Sequence, residues 1–135
     1  MLVYADASAL VKLVRDEAES GALRSYLEGA DLVSSAIVLA EVSRAVRRAA
    51  TDDPRLPLEL LLDRATAVLD AVARIPVDEP LLFSAGAIAE PGLRALDAIH
   101  VAAALSISPV DAFVSYDQRQ SAAARLSGLR TVTPG

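Results

Sequence analysis

An α/β fold is predicted, with a mainly parallel five-stranded sheet flanked by helices on both faces, and three observations predict it. Short apolar runs rich in β-formers alternate along the chain with longer stretches of helical periodicity. Strands separated in this way need crossovers, which are right-handed and leave neighbouring strands parallel. No repeat, low-complexity run or linker divides residues 1–135, so a single domain is expected over the whole length. With 53% hydrophobic residues, such a chain can bury about two thirds of its unfolded surface.

Leu2-Val3-Tyr4-Ala5 reads as the first strand, followed by helical patterns from Ser8 to Asp16 and from Glu17 to Glu28, the latter ended by Gly29. Asp31-Leu32-Val33-Ser34 is the second strand. Ser34 or Ser35 then caps a helix, AIVLAEVSRAVRRAA, which stops before the turn-rich Thr51-Asp52-Asp53-Pro54. Leu56 to Ala73 is strongly helical, and Leu58, Leu61, Leu62, Ala65, Leu69 and Val72 recur at a spacing that serves either the core or a partner surface. Arg74-Ile75-Pro76-Val77 is a short third strand, with a helix after Pro80 and a break at Pro91-Gly92. RALDAIHVAAALSI is helical and apolar nearly all round. Ala112-Phe113-Val114-Ser115-Tyr116 is the fourth strand, Gln118–Leu126 a short helix, and Arg130-Thr131-Val132 an edge strand.

Composition removes several classes of function. The absence of cysteine rules out a disulfide framework and a zinc–thiolate site, and a reducing cytoplasm suits the chain. Charges interrupt every apolar run before it reaches the roughly 18 residues of a membrane span, so a soluble cytoplasmic protein is expected. Formal net charge is −5, from 18 acids against 13 bases, which opposes binding nucleic acid through a basic surface.

Four acids are placed unlike the solvated majority. Asp6 and Asp117 each follow a strand directly, where open α/β sheets bind ligands. Helix capping would explain both, yet Ser8 is as good a cap as Asp6, and if Ser8 caps the helix, Asp6 is free to project. Asp97 shares the stretch from Ala95 to Leu105 with only one other polar residue, His100, so its carboxylate is expected to be half-buried. Its plain alternatives are a first-turn acid favoured by the helix dipole, or an ion pair with Arg94. Glu41 borders an apolar face and has Arg44 three residues on as a surface partner. His100 suits either a base or supporting donor for Asp97, or a core histidine bonded to backbone.

Two acids at strand ends and two on flanking helices would converge on one crevice, where their repulsion calls for a divalent cation. Hard oxygen donors without sulfur favour Mg²⁺ or Mn²⁺, and such a site suits phosphodiester hydrolysis with an activated water. Ser8 and Ser115 lie where they would orient a ligand or water, and Arg44, Arg47 and Arg48 form a cluster able to hold phosphates.

The segments VYADASALVKL, VLAEVSRAVRR, LRALDAIHVAAAL and FVSYDQRQSAAARLSGLRTVTPG together resemble the PIN-domain ribonucleases, specifically the VapC-type toxins of toxin–antitoxin pairs. The resemblance runs nearly end to end, with no motif between about Asp52 and Pro91. It implies a Mg²⁺-dependent endoribonuclease, a homodimer, an RNA substrate, and a cognate antitoxin that inserts a tail into the active site. It implies that Asp6, Glu41, Asp97 and Asp117 form the family's acidic quartet, with Ser8 and Ser115 at positions often held by a small hydroxyl residue. Two bound divalent ions would bring the charge from −5 to −1 and relieve repulsion of RNA.

Competing readings remain. Aspartyl-phosphate phosphatases carry Asp-x-Asp after the first strand, where this chain has Ser8 as the second member. A phosphate-accepting receiver module needs a lysine late in the chain, and the single lysine is Lys12. A catalytically silent module that binds only antitoxin or RNA is the third.

Overall fold

The computed structural model describes residues 1–135. Five strands form one sheet in the order β3-β2-β1-β4-β5: β1 (Leu2–Ala5), β2 (Asp31–Ser35), β3 (Ala73–Ile75), β4 (Ala112–Val114) and β5 (Thr131–Val132). Every pairing is parallel, with Tyr4 opposite both Val33 and Phe113 in register. The helices are α1 (Ala7–Val14), α2 (Ser20–Tyr26), α3 (Val38–Asp52), α4 (Leu58–Asp70), α5 (Glu79–Gly86), α6 (Ala95–Ser106) and α7 (Gln118–Leu126).

The pleat of the central strands divides the core in two. Val3 and Ala5 of β1, with Ala112 and Val114 of β4, face an apolar cluster built with α1, α3 and α4. Tyr4 and Phe113 point the other way, into a cluster with α5, α6 and α7. Helices therefore cover both faces, and a parallel strand buried on both sides reads as a continuous apolar run, as VYA and AFV do. The chain winds from β1 outward to β2 and β3, then returns to place β4 on the other side of β1. The switch point, where an open sheet leaves a crevice, thus lies at the carboxyl ends of β1 and β4.

Several boundaries differ from those read in sequence, each for a local reason. α3 continues to Asp52 because the Thr51 hydroxyl donates to the Arg47 carbonyl one turn back, at 3.0 Å, and so stays within the helix. Neither Ser34 nor Ser35 caps α3: both lie in β2, the cap position is Ile37, and Ser35 Oγ accepts the Ile37 N–H at 3.2 Å. α4 ends at Asp70 rather than Ala73: the Leu69 carbonyl accepts the Val72 N–H in a closing turn and is also met by the Arg74 guanidinium, and β3 begins at Ala73. α2 ends at Tyr26 rather than at Glu28, and Gly29 follows in the turn beyond it, with φ of 75° in the left-handed region.

The apolar spacing of α4 belongs to the core. Leu61, Ala65, Leu69 and Val72 are buried, and Leu58 and Leu62 pack against the same cluster. Leu60, off that face, is 48% exposed whereas Leu61 is 4% exposed. Leu61→Ala should therefore destabilise by about 2–5 kcal/mol in denaturant titrations, and Leu60→Ala by about 0.5 kcal/mol or less; equal losses would place α4 differently.

Candidate active site

Asp6 stands where β1 hands over to α1, and its carboxylate is almost wholly buried. Oδ1 accepts from the Ser8 hydroxyl at 2.6 Å and from the Ala9 N–H at 3.1 Å, while Oδ2 accepts from the Ser115 hydroxyl at 2.5 Å. Asp6 is thus the cap of α1, not Ser8. The Ser8 hydroxyl is occupied otherwise: it donates to Asp6 and accepts the Tyr116 N–H at 2.9 Å, tying the start of α1 to the end of β4. Ser115 Oγ likewise accepts the Asp117 N–H at 3.0 Å. Burial pushes the Asp6 carboxyl above the usual range, against the opposing pull of the two serine hydroxyls and the Ala9 N–H.

Asp117 caps α7, with Oδ1 accepting the Gln120 N–H at 3.1 Å. Asp97 lies in the first turn of α6, where the helix dipole favours an acid. Its carboxylate forms neither an ion pair with Arg94 nor a hydrogen bond. Burial raises its pKa first, and repulsion by Asp117, Asp6 and Glu41 raises it further. Asp97 therefore lies within electrostatic reach of the other three acids, near the ends of β1 and β4.

Glu41, on the first turn of α3, does not pair with Arg44. Its Oε1 meets His100 Nε2 at 2.6 Å, and the other ring nitrogen, Nδ1, meets the Tyr4 hydroxyl at 2.7 Å. His100 is buried and bonded to side chains, not to backbone. Sequence gave no sign of Tyr4 in this chain of contacts, since a strand tyrosine facing the core looks like packing alone.

Two adjoining clefts open over these groups. The first, of about 530 Å³, is lined by Ser8, Lys12, Glu41, Arg44, Arg48 and Tyr116 among others. The second, of about 360 Å³, is lined by Arg94, Asp97, Asp117, Gln118 and Arg119. They adjoin because consecutive residues, Leu96 with Asp97 and Tyr116 with Asp117, line one and the other. Arg47 lines neither, because Arg44 and Arg48, four residues apart, share a helix face from which Arg47 is rotated away. Lys12 pairs with Glu19 at 2.9 Å and Glu17 at 3.3 Å and lies 4.8 Å from the Tyr116 ring centre.

The donor set is chemically suited to a hard divalent cation: carboxylate and hydroxyl oxygens, with no sulfur. As the side chains stand, no three His, Cys, Asp or Glu groups are arranged to hold an ion. Their oxygens are engaged elsewhere: Asp6 is turned to Ser8 and Ser115, Glu41 to His100 and Asp117 to the first turn of α7.

A family model for the PIN domain matches residues 3–126. The chain belongs to the PIN-domain family. It is 37% identical over 141 residues to Ribonuclease VapC35 of Mycobacterium tuberculosis, covering 99% of this chain and 98% of that one. Its fold is similar to that of Mycobacterium tuberculosis VapC20, a sarcin-ricin loop cleaving toxin, with a TM-score of 0.72, 19% identity and coverage of 98% and 99%. It is also similar in fold to the VapBC2 structure from Rickettsia felis bound to a promoter DNA fragment, with a TM-score of 0.70, 15% identity and full coverage of both chains.

Because the folded-state pKa of Asp97 is raised, its ionised form destabilises the fold at neutral pH. Without metal, Asp97→Asn should melt higher than wild type at pH 7. Acidification protonates Asp97 in the folded state first, so the difference should shrink as pH falls through that raised value to the ordinary 3.8. Calorimetry in chelator over this range checks it, and a difference that grows on acidification would contradict the assignment.

Proposed function

We propose that this PIN-domain chain is an endoribonuclease toxin of a toxin–antitoxin pair, hydrolysing RNA phosphodiester bonds at the crevice that holds Asp6, Glu41, Asp97 and Asp117. The observation that carries this reading is the gathering of acids at the sheet's switch point, where Asp6 and Asp117 begin helices after β1 and β4 and Asp97, without a hydrogen-bond partner, is repelled by Asp117, Asp6 and Glu41. Capping accounts for Asp6 and Asp117 singly, but the crowding of acids around Asp97 is a cost that a cation or a developing positive charge would offset. Near-full-length identity to a protein named a ribonuclease supports the same conclusion.

Asp6, Asp97, Asp117 and Glu41 would hold Mg²⁺ or Mn²⁺, which when bound lowers the pKa of an attacking water and stabilises charge on the phosphoryl and leaving oxygens. The protein's own part is then positional. Ser8 and Ser115 fix the Asp6 carboxylate from two sides, so that it presents the same lone pairs whichever ligand arrives. Asp97, without a hydrogen bond, is free to turn toward that ligand. Arg44 and Arg48 line the first cleft beside Glu41 without ion pairs of their own, which suits them to RNA phosphates. Arg47 drops out of this role because it lies off the cleft.

A basic antitoxin segment suits the same acidic crevice, and the VapBC2 structure of a fold relative supports a protein partner. Pairing of two copies belongs to the same proposal, with the exposed Leu82 and Phe83 of α5 as apolar surface in place of α4. The receiver-like alternative loses ground, because Lys12 is committed to Glu17 and Glu19.

The purified chain should cleave a mixed RNA pool with Mg²⁺ or Mn²⁺ and stop with chelator, while Asp97→Asn abolishes cleavage and stays folded. Equal activity in the two proteins would leave a silent binding module as the better account. Arg44→Ala and Arg48→Ala should each flatten the slope of log affinity against log salt by about 1 for RNA, and Arg47→Ala should leave it unchanged; a shared effect of all three would undo the assignment to the cleft.

A further inference from the structure

Three elements meet at one buried side chain. His100 of α6 touches Tyr4 of β1 through Nδ1 at 2.7 Å and Glu41 of α3 through Nε2 at 2.6 Å, and it is 1% exposed. A carboxylate only accepts hydrogen bonds, so Nε2 must carry the proton that points at Glu41. In a neutral imidazole Nδ1 is then an acceptor, and the Tyr4 hydroxyl donates to it. Tyr4 is well fitted to that donation. Its ring stacks on Phe113, with centroids 5.2 Å apart and planes 7° from parallel, and it meets the imidazole edge-on at 74°. Burial pushes the phenol far above its ordinary pKa, so it keeps its proton.

We propose that His100 is a positioning residue, fixed by the Tyr4 phenol in the tautomer protonated at Nε2, and that it holds the Glu41 carboxylate at the edge of the acidic crevice. The role rests on the reading of Glu41 as a member of the functional site. Glu41 has a flexible side chain and no other partner, so without His100 it would be free to swing toward solvent or toward Arg44. With it, the carboxylate stays beside Ser8 at the wall of the first cleft. The same proton that holds Glu41 bars His100 Nε2 from acting as a general base while the contact lasts. The geometry thereby separates two roles open in sequence: His100 orients an acid and does not take a proton from water.

Having one histidine makes the test direct. Nitrogen-15 spectra of the histidine-labelled, metal-free protein at neutral pH should show a protonated Nε2 and an unprotonated Nδ1, and Tyr4→Phe should weaken that preference. Protonation at Nδ1, or an even mixture of tautomers in the wild type, overturns the proposal. Substitution adds a second readout, since a glutamine amide nitrogen lies as many bonds from Cβ as Nε2, and an asparagine amide nitrogen as many as Nδ1. His100→Asn should lower both Mn²⁺ affinity and kcat by about 10–100-fold, with KM for RNA little changed, and His100→Gln should retain more of each. Equal losses in the two variants, with both folded by circular dichroism, count against positioning; if either fails to fold, the wild-type and Tyr4→Phe spectra decide. A wild type with the expected tautomer that cuts no RNA would refute the nuclease reading and leave the positioning role intact. RNA cutting together with the Nδ1 tautomer would do the reverse.

Discussion

The burial of the Asp6 carboxylate at the end of the central strand constrains the whole site. A nearly inaccessible carboxylate needs hydrogen bonds, and Asp6 draws them from three places: the first turn of α1 through the Ala9 N–H, the side chain of Ser8, and the side chain of Ser115 after β4. Those bonds hold β1, α1 and β4 in one arrangement at the point where the sheet changes direction. They also leave Ser8 and Ser115 with accepting lone pairs, which the Tyr116 and Asp117 N–H groups take up. The backbone around Asp117 is thus set by what Asp6 requires. Desolvation still outweighs these bonds and pushes the carboxyl above its ordinary range.

Capping and function are not rivals at such a position. A carboxylate has about four accepting directions, and one N–H uses one of them. Asp6 and Asp117 each close the first turn of a helix and still lie within electrostatic reach of Asp97. Choosing between a cap and a site, as the pairing of Asp6 with Ser8 invites, treats one side chain as if it had one bond to give.

The readable part of the sequence was the local part. Alternating apolar runs and helical periods placed five strands and seven helices, and strand-end and first-turn positions marked out Asp6, Asp97 and Asp117, because both signals depend on spacings of a few residues. What sequence could not show depends on contacts across the fold. His100 meets Glu41 59 positions away and Tyr4 96 positions away, and no short-range pattern predicts either. Likewise the leucines of α4 have a spacing that fits core and interface equally, and only the packing of α1 and α3 against them decides. Arg44, Arg47 and Arg48 read as one cluster because they are close in sequence, whereas the face of α3 that borders the cleft accepts two of them.

Net charge misleads about this surface because binding is governed by local potential. The deep part of the crevice is acidic, but Lys12, Arg44 and Arg48 line the neighbouring cleft, and Arg94 and Arg119 line the other. A polyanion approaching along these walls meets positive charge at its phosphates and negative charge only at the centre. In the proposed function the centre is where a cation would bind, whether a divalent ion or the guanidinium of a basic peptide. Under the proposed function, the repulsion that Asp97 meets from Asp117, Asp6 and Glu41 would be relieved by either ligand, and the relief would add to its affinity. Under that proposal folding stability and ligand affinity would be opposed at Asp97: a substitution that relaxes the repulsion in the ligand-free protein would take away part of what the site gains on binding.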